Sequence, residues 1–187
     1  DSIVKGQMYN GQLVSEIYRD VENTGSEKAS DVPWDGIRAS VKSVKFVNEI
    51  IPASTAYWFY NMTNCTNINL TNLDTGNVTK MSYMFEGCAQ LTTLDVSQFN
   101  TGNVTSMSNM FNNCINLTSL DVSGFDTSKV TDTNTMFCNC SGLTSLDLSG
   151  WDTSAVTAMN SMFSGCRGLT SLDLSGFDTS NVTSMGC

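Results

Sequence analysis

The sequence predicts an α/β repeat solenoid, a stack of units with a parallel β-sheet on one face and short helices on the other. The main observation is the dipeptide Met-Phe, which recurs every 26 residues. A fixed period of this length is typical of units that bury their apolar faces only by stacking on their neighbours. The dipeptide begins at Met84, Met110, Met136 and Met162, and Trp58 begins the equivalent pair one period earlier.

The first half of each unit alternates apolar and polar residues, which predicts a short strand with one buried face. In the unit that starts at Leu117, the apolar residues Leu120 and Val122 flank Asp121. Its Leu-x-x-Leu-x-Leu spacing is that of a leucine-rich repeat. We expect these strands to form the parallel sheet. Equivalent apolar pairs occur at Ile68/Leu70, Leu94/Val96, Leu146/Leu148 and Leu172/Leu174.

The second half of each unit changes to a helical period. Val104, Met107, Met110, Phe111 and Cys114 fall at positions i, i+3, i+6, i+7 and i+10. These positions form one apolar stripe on a short helix. An Asp-Thr-Ser tripeptide precedes the segment in later units, and its side-chain oxygens could cap the first free amides of the helix.

The repeat also defines the domain organisation. We expect an N-terminal capping region over residues 1–40, where the repeat is absent, and a region of 26-residue repeat units over residues 41–187. One further strand is predicted around Val44. The last unit stops inside its predicted helix, which we interpret as truncation at the C-terminus. An uncapped end of this kind could stack on another molecule and allow self-association.

Composition excludes several classes of function. The formal net charge is −9, and an acidic surface repels nucleic acid and anionic lipid, so we expect no nucleic-acid partner. The chain contains no histidine, which excludes a nucleophile activated by histidine, and we expect no enzymatic activity. No apolar run is long enough for a transmembrane helix, so we expect no membrane insertion.

The cysteines behave as core residues in this pattern. Cys88, Cys114, Cys140 and Cys166 share one repeat position, which Met62 fills in the first unit. Cysteine that exchanges with methionine acts as a small core hydrophobe. Packed helices lie roughly 8–10 Å apart, beyond the limit of about 7 Å between the Cα atoms of a disulfide. We therefore expect free thiols, and without histidine we expect no zinc site.

Rows of aspartate and threonine on the exposed face of the predicted sheet are the candidate binding residues. Adjacent carboxylates in such a row would lie about 4.8 Å apart, and like charges at this distance are destabilising. Two interpretations are open: a solvated surface, or a strip that binds a ligand or a cation such as Ca²⁺, which favours carboxylate oxygens. The chain lacks the spacing of a dedicated calcium loop. The candidates are Asp95, Asp121, Asp147, Asp173, Thr92, Thr118, Thr144 and Thr170.

The repeat resembles a known family. The sequence Leu-Thr-Ser-Leu-Asp-Leu-Ser-Gly-Phe-Asp-Thr-Ser-Asn-Val-Thr-Ser-Met at 169–185, with Met-Phe-x-Gly-Cys at 162–166, is similar to the repeats of BspA-like leucine-rich-repeat surface proteins of bacteria. The resemblance covers roughly residues 41–187. It implies an extracellular, cell-surface protein, often wall-anchored and often proposed to be an adhesin, with no agreed catalytic activity. Anchoring would depend on regions absent from this chain.

These observations favour a non-enzymatic extracellular binding module, a bacterial surface adhesin that uses the exposed sheet face. Because that face is monotonous, we expect a repetitive partner, either a host matrix protein or a polysaccharide. The alternative is a structural spacer, or the subunit of a polymerising stalk or filament, whose face binds nothing. An ice-binding surface is disfavoured because charged aspartate rows interleave with the threonine rows.

Overall fold

Regular secondary structure is confined to the first part of the chain. The computed structural model describes residues 7–9, 12–15, 28, 30, 32, 34–46 and 48–186. Strands β1 (Gln7–Tyr9), β2 (Gln12–Ser15), β3 (Ser43–Lys45) and β4 (Asn67–Asn69) form one sheet in this order, and a 3₁₀ helix spans Asp35–Ser40. β1 and β2 are antiparallel, whereas β2, β3 and β4 are parallel. Within the described residues, no helix has the length and apolar character needed to cross a membrane.

The predicted α/β repeat solenoid is wrong. Residues 70–186 fold as a succession of turns and extended segments joined by single β-bridges, with neither a repeated sheet nor repeated helices. The strand predicted around Val44 is present as β3, and the apolar Ile68 lies in β4. The later alternating segments do not form strands, and the described part of the repeat contains no helix.

Left-handed backbone conformations prevent the predicted helices. Asn109 (φ 57°) lies before one Met-Phe pair and Asn113 (φ 60°) lies after it. An α-helix needs φ near −63°, so neither residue can continue one. The apolar i, i+3 spacing is satisfied by turns instead, in which the Met110 amide donates to the Met107 carbonyl. Other units have left-handed residues at the same two positions, at Tyr57, Asn61, Tyr83, Gly87, Thr135, Asn139, Ser161 and Gly165.

Backbone hydrogen bonds between units hold the repeat together. The Phe85 amide donates to the Met110 carbonyl at 2.9 Å, and the Phe111 amide donates to the Met136 carbonyl at 2.9 Å. Each bond therefore joins one unit to the next. We call each unit a layer, and neighbouring layers stack at roughly the 4.8 Å spacing of β-strands. Parallel bridges repeat this register at Ser54–Lys80, Lys80–Ser106, Ser106–Asp132, Asp132–Ala158 and Ala158–Ser184.

A column of phenylalanine rings runs through the core. Ring centroids are 5.2 Å apart for Phe59–Phe85, 5.5 Å for Phe85–Phe111, 5.7 Å for Phe111–Phe137 and 5.8 Å for Phe137–Phe163. The ring planes differ by 19° or less, so each ring stacks on the ring of the next layer. The register set by the backbone is thus also the register of the core.

The Asp-Thr-Ser tripeptides close turns rather than cap helices, so their predicted role was wrong. Asp126 Oδ1 accepts hydrogen bonds from the Ser128 amide at 3.0 Å and the Ser128 hydroxyl at 2.6 Å, which forms an Asx-turn. The buried Thr101 hydroxyl donates to the Asp126 carbonyl in the next layer at 3.0 Å. Buried threonines repeat this link between layers at Thr75, Thr127 and Thr153.

The six described cysteines are free, as predicted. The reason proposed from the sequence was wrong, because adjacent layers lie at hydrogen-bond spacing rather than at helix-packing distance. Each thiol in the column instead donates to a carbonyl of the preceding layer, as Cys114 does to Phe85 at 3.2 Å. Cys166 is half-buried, whereas Cys88 and Cys140 are fully covered.

The described part of the predicted capping region packs against the first layer. Arg38 is 6% exposed, and its guanidinium donates to the Tyr57 and Tyr60 carbonyls at 2.8 and 2.6 Å. It also pairs with Asp35 at 2.7 Å. The Trp34 ring meets the Trp58 ring edge-on, with centroids 5.8 Å apart. Much of the predicted region 1–40 lies outside the described residues.

Replacing Gly87 by alanine should destabilise the fold. Gly87 has φ +72°, and a Cβ atom there would lie 2.2 Å from Asn61 Oδ1. We expect the free energy of unfolding in urea to fall by at least about 1–2 kcal/mol. Gly124→Ala is the matched control, because a Cβ atom at Gly124 meets nothing within 4 Å. Equal stability of the two variants would contradict the left-handed turn at Gly87.

Thiol labelling should follow burial. Burial raises the pKa of the Cys88, Cys114 and Cys140 thiols well above the ordinary range, so the reactive thiolate is scarce at neutral pH. In the native protein we expect peptide mapping after alkylation to show little label at these cysteines and more at Cys138 and Cys166. Denaturant should make all sites react. Rapid native labelling of Cys114 would contradict the packing described above.

Candidate functional site

An open groove on the surface collects candidate residues from three layers. Asp95, Asp121 and Asp147 line it, and the groove has a volume of about 550 Å³. We call it the Asp groove. Its remaining lining residues are Thr93, Leu94, Ser119, Leu120, Ser123, Ser145 and Leu146. The same residue types recur from layer to layer, so the groove is a repeated surface rather than a unique pocket.

The structure brings together only part of the predicted set. Asp173 is exposed but does not line the groove, and the same holds for the predicted threonine row. The surface is not a sheet face, because Thr93–Ser119 is a single bridge. The predicted threonines instead link layers, since the Thr118 hydroxyl donates to the Thr92 carbonyl at 3.1 Å. The predicted row comprises Thr92, Thr118, Thr144 and Thr170.

Asx-turns hold the groove carboxylates. Asp95 Oδ1 accepts hydrogen bonds from the Ser97 amide at 3.0 Å and the Ser97 hydroxyl at 2.7 Å. Asp121 Oδ1 accepts the same pair of bonds from Ser123, also at 3.0 and 2.7 Å. One oxygen of each of these two carboxylates is therefore used by its own turn, and the second oxygen takes no part in the turn's hydrogen bonds.

These hydrogen bonds keep the carboxylates charged. The hydroxyl and amide of Ser97 lower the pKa of Asp95, and those of Ser123 lower the pKa of Asp121. The Ser149 amide and hydroxyl lower the pKa of Asp147, and the nearby Asp121 opposes this shift. The groove therefore presents a line of negative charges at neutral pH.

The described residues offer no ready-made metal site. Among them, no group of three or more cysteine, aspartate or glutamate side chains could hold a metal ion. Each layer contributes a single groove carboxylate, and one oxygen of that carboxylate is already engaged. Calcium binding at the groove stays a prediction.

A second surface feature was missed in the sequence. Tyr57, Tyr60, Tyr83 and Glu86 form a half-buried cluster, which we call the tyrosine face. The Tyr57 and Tyr83 rings stack with centroids 4.5 Å apart and planes 7° apart, and the Tyr60 ring meets Tyr57 edge-on at 5.5 Å. The Arg38 guanidinium lies 5.5 Å from the centre of the Tyr60 ring. The sequence feature that could have predicted this cluster is the spacing of Tyr57 and Tyr83 by one repeat period.

Burial raises the pKa values of two residues on the tyrosine face. Burial, together with the neighbouring Tyr83, raises the pKa of Tyr57 to about 12. Burial alone raises the pKa of Glu86 to about 7. This surface therefore differs from the Asp groove, where hydrogen bonds lower the pKa of every carboxyl group.

Comparison with known proteins identifies one family. The family described as "Mycoplasma protein of unknown function, DUF285" matches residues 53–146 and 120–187. None of the curated proteins compared with the chain matches it. The two matched segments overlap and together cover well over half of the sequence, including the whole of the Asp groove and of the tyrosine face. The chain therefore belongs to the DUF285 family of Mycoplasma proteins of unknown function.

Proposed function

We propose that the chain is a non-catalytic binding module, a bacterial surface adhesin that binds a repetitive extracellular partner along the Asp groove. The observation that carries the proposal is the groove itself, in which Asp95, Asp121 and Asp147 repeat at the layer spacing. A polysaccharide or an extended matrix protein presents equivalent groups at regular intervals. Such a partner can therefore make the same contact with each layer.

The chemistry of the groove supports binding rather than catalysis. General acid–base catalysis needs two groups whose environments push their pKa values apart. The groove carboxyl groups instead share one environment, and hydrogen bonds from serine lower the pKa of each of them. The sequence contains no histidine that could activate a serine or cysteine nucleophile.

The rigid mounting of the groove also favours binding. Because Asp95 and Asp121 are each fixed by two hydrogen bonds within their own turns, and Asp147 by one from the Ser149 amide, little side-chain freedom is lost when a ligand binds. The free oxygens and the serine hydroxyls can accept hydrogen bonds from sugar hydroxyls or from backbone amides. The half-buried Leu146 supplies apolar contact area, whereas Leu94 and Leu120 line the groove but are only 8% and 7% exposed.

An array experiment with a charge-removal variant tests this function. The immobilised chain is exposed to glycan and matrix-protein arrays, in calcium and in chelator. We expect a binder whose affinity falls at least tenfold, about 1.4 kcal/mol, in the triple variant Asp95→Asn, Asp121→Asn and Asp147→Asn. Asparagine keeps the turn, since Asn69 Oδ1 already accepts the Thr71 amide at 3.0 Å in the first layer.

The matched control removes three charges from a second Asx row. Asp126→Asn, Asp152→Asn and Asp178→Asn should also keep their turns, because Asn100 holds the equivalent turn to Gly102 at 3.2 Å. This control should change affinity by less than about twofold, a free-energy difference well below 1 kcal/mol. The absence of any binder, or an equal loss in both triple variants, would contradict use of the Asp groove. Concentration-dependent self-assembly without a binder would favour the alternative, a structural spacer or the subunit of a polymerising stalk or filament.

A further inference from the structure

Two buried oxygen atoms on adjacent layers lack hydrogen-bond donors. Within the described part of the chain, Glu86 Oε2 and Asn112 Oδ1 are shielded from solvent and have no hydrogen-bond partner. A buried acceptor that is left unpaired costs roughly 1–3 kcal/mol. Solvent does not reach either atom, so bulk water does not supply the missing donors.

The backbone places these two side chains next to each other. Glu86 and Asn112 occupy the same position in successive layers, and the Gly87 amide donates to the Asn112 carbonyl at 2.8 Å. The Asn112 amide group is oriented by its Nδ2 atom, which donates to Asn109 Oδ1 at 3.1 Å. The oxygen of Asn112 is therefore an acceptor in need of a donor.

Among the residues that the structure describes, no positive charge forms an ion pair with Glu86. The guanidinium of Arg38 pairs with Asp35. The ionisable groups that its charge affects are the Tyr57 hydroxyl and the Cys114 and Cys138 thiols, and the charge raises the pKa of each. An ionised Glu86 would therefore stand half-buried among groups that do not stabilise a negative charge.

A proton on Glu86 would give both Glu86 Oε2 and Asn112 Oδ1 a hydrogen-bond partner. We propose that Glu86 carries a proton in the folded chain and donates it to Asn112 Oδ1, which makes a pH-sensitive link between two layers beneath the tyrosine face. A protonated carboxyl group has one O–H donor. Loss of this proton breaks the link and leaves a charge where burial disfavours it, so the Glu86 and Asn112 layers loosen around Tyr57 and Tyr83.

The direction of the pH effect follows from proton linkage. The pKa of Glu86 is raised from 4.5 to about 7 by burial, so the folded state binds this proton more tightly than the unfolded state. The contribution of Glu86 to stability is fully present below pH 4.5 and is lost as the pH rises through about 7. One proton can change the unfolding constant by at most about tenfold per pH unit.

Urea unfolding between pH 5 and pH 8 tests the link. Relative to Glu86→Gln, we expect the unfolding constant of the unsubstituted chain to increase at least about tenfold over this range. Glutamine has the same shape, and its Nε2 atom can donate to Asn112 Oδ1 at every pH, so this variant should lack the slope. Asp121→Asn is the control, because the pKa of Asp121 is lowered and its proton is lost below this range.

Two spectroscopic readouts report the proton itself. Carbon-13 NMR of the side-chain carboxyl should show Glu86 titrating near neutral pH. As Glu86 ionises, the hydrogen-exchange rate of the Gly87 amide should increase with pH more steeply than intrinsic base catalysis alone predicts. Glu86→Gln should abolish this additional increase. A Glu86 midpoint in the ordinary range of glutamate, or the same pH slope in Glu86→Gln as in the unsubstituted chain, would overturn the proposal.

Discussion

The structure depends on one constraint, the hydrogen bond that joins each layer to the next. The Phe85, Phe111 and Phe137 amides donate to the Met110, Met136 and Met162 carbonyls, each one layer further on. Because these bonds fix the register, every side-chain position of the repeat becomes a column. The stacked phenylalanines, the thiols that donate to phenylalanine carbonyls and the buried threonine links are all consequences of that register. The periodicity of the sequence therefore matches the register of the backbone hydrogen bonds as well as the packing of the core.

The same register aligns like charges on the surface, and the Asx-turns reduce the resulting repulsion. A residue type that repeats in register places like charges about 4.8 Å apart. Each groove aspartate offsets this repulsion locally, through hydrogen bonds from the serine two residues later, two at Asp95 and Asp121 and one at Asp147. The charged row is thereby kept ionised, and the proposed binding of a repetitive ligand rests on this property. Where the residue type at a repeat position differs from that of later layers, as at Tyr57, Tyr83 and Glu86, the surface has different electrostatic properties and its own response to pH.

Sequence reasoning recovered the period, the buried columns and the rows of exposed aspartates, because a side-chain column needs only residue spacing. It failed where the backbone conformation decides the outcome. The apolar spacing of Met107, Met110 and Phe111 fits a helix, but Asn109 and Asn113 are left-handed and convert the segment into stacked turns. The strand pattern around Asp121 was mistaken in a similar way, since an Asx-turn to Ser123 ends the extended segment. The half-buried Glu86 could not be recognised, because its missing hydrogen-bond donor becomes apparent only when the layers are stacked.

Scalar couplings across hydrogen bonds test the inter-layer register most directly. In deuterated, labelled protein, the Phe111 amide nitrogen should show a coupling to the carbonyl carbon of Met136, its acceptor in the next layer at 2.9 Å. The Phe85 amide should show the equivalent coupling to Met110. An α-helix would instead pair the Phe111 amide with the carbonyl four residues earlier, at Met107. A coupling to Met136 is the result expected from the stacked layers, and a coupling to Met107 would contradict them.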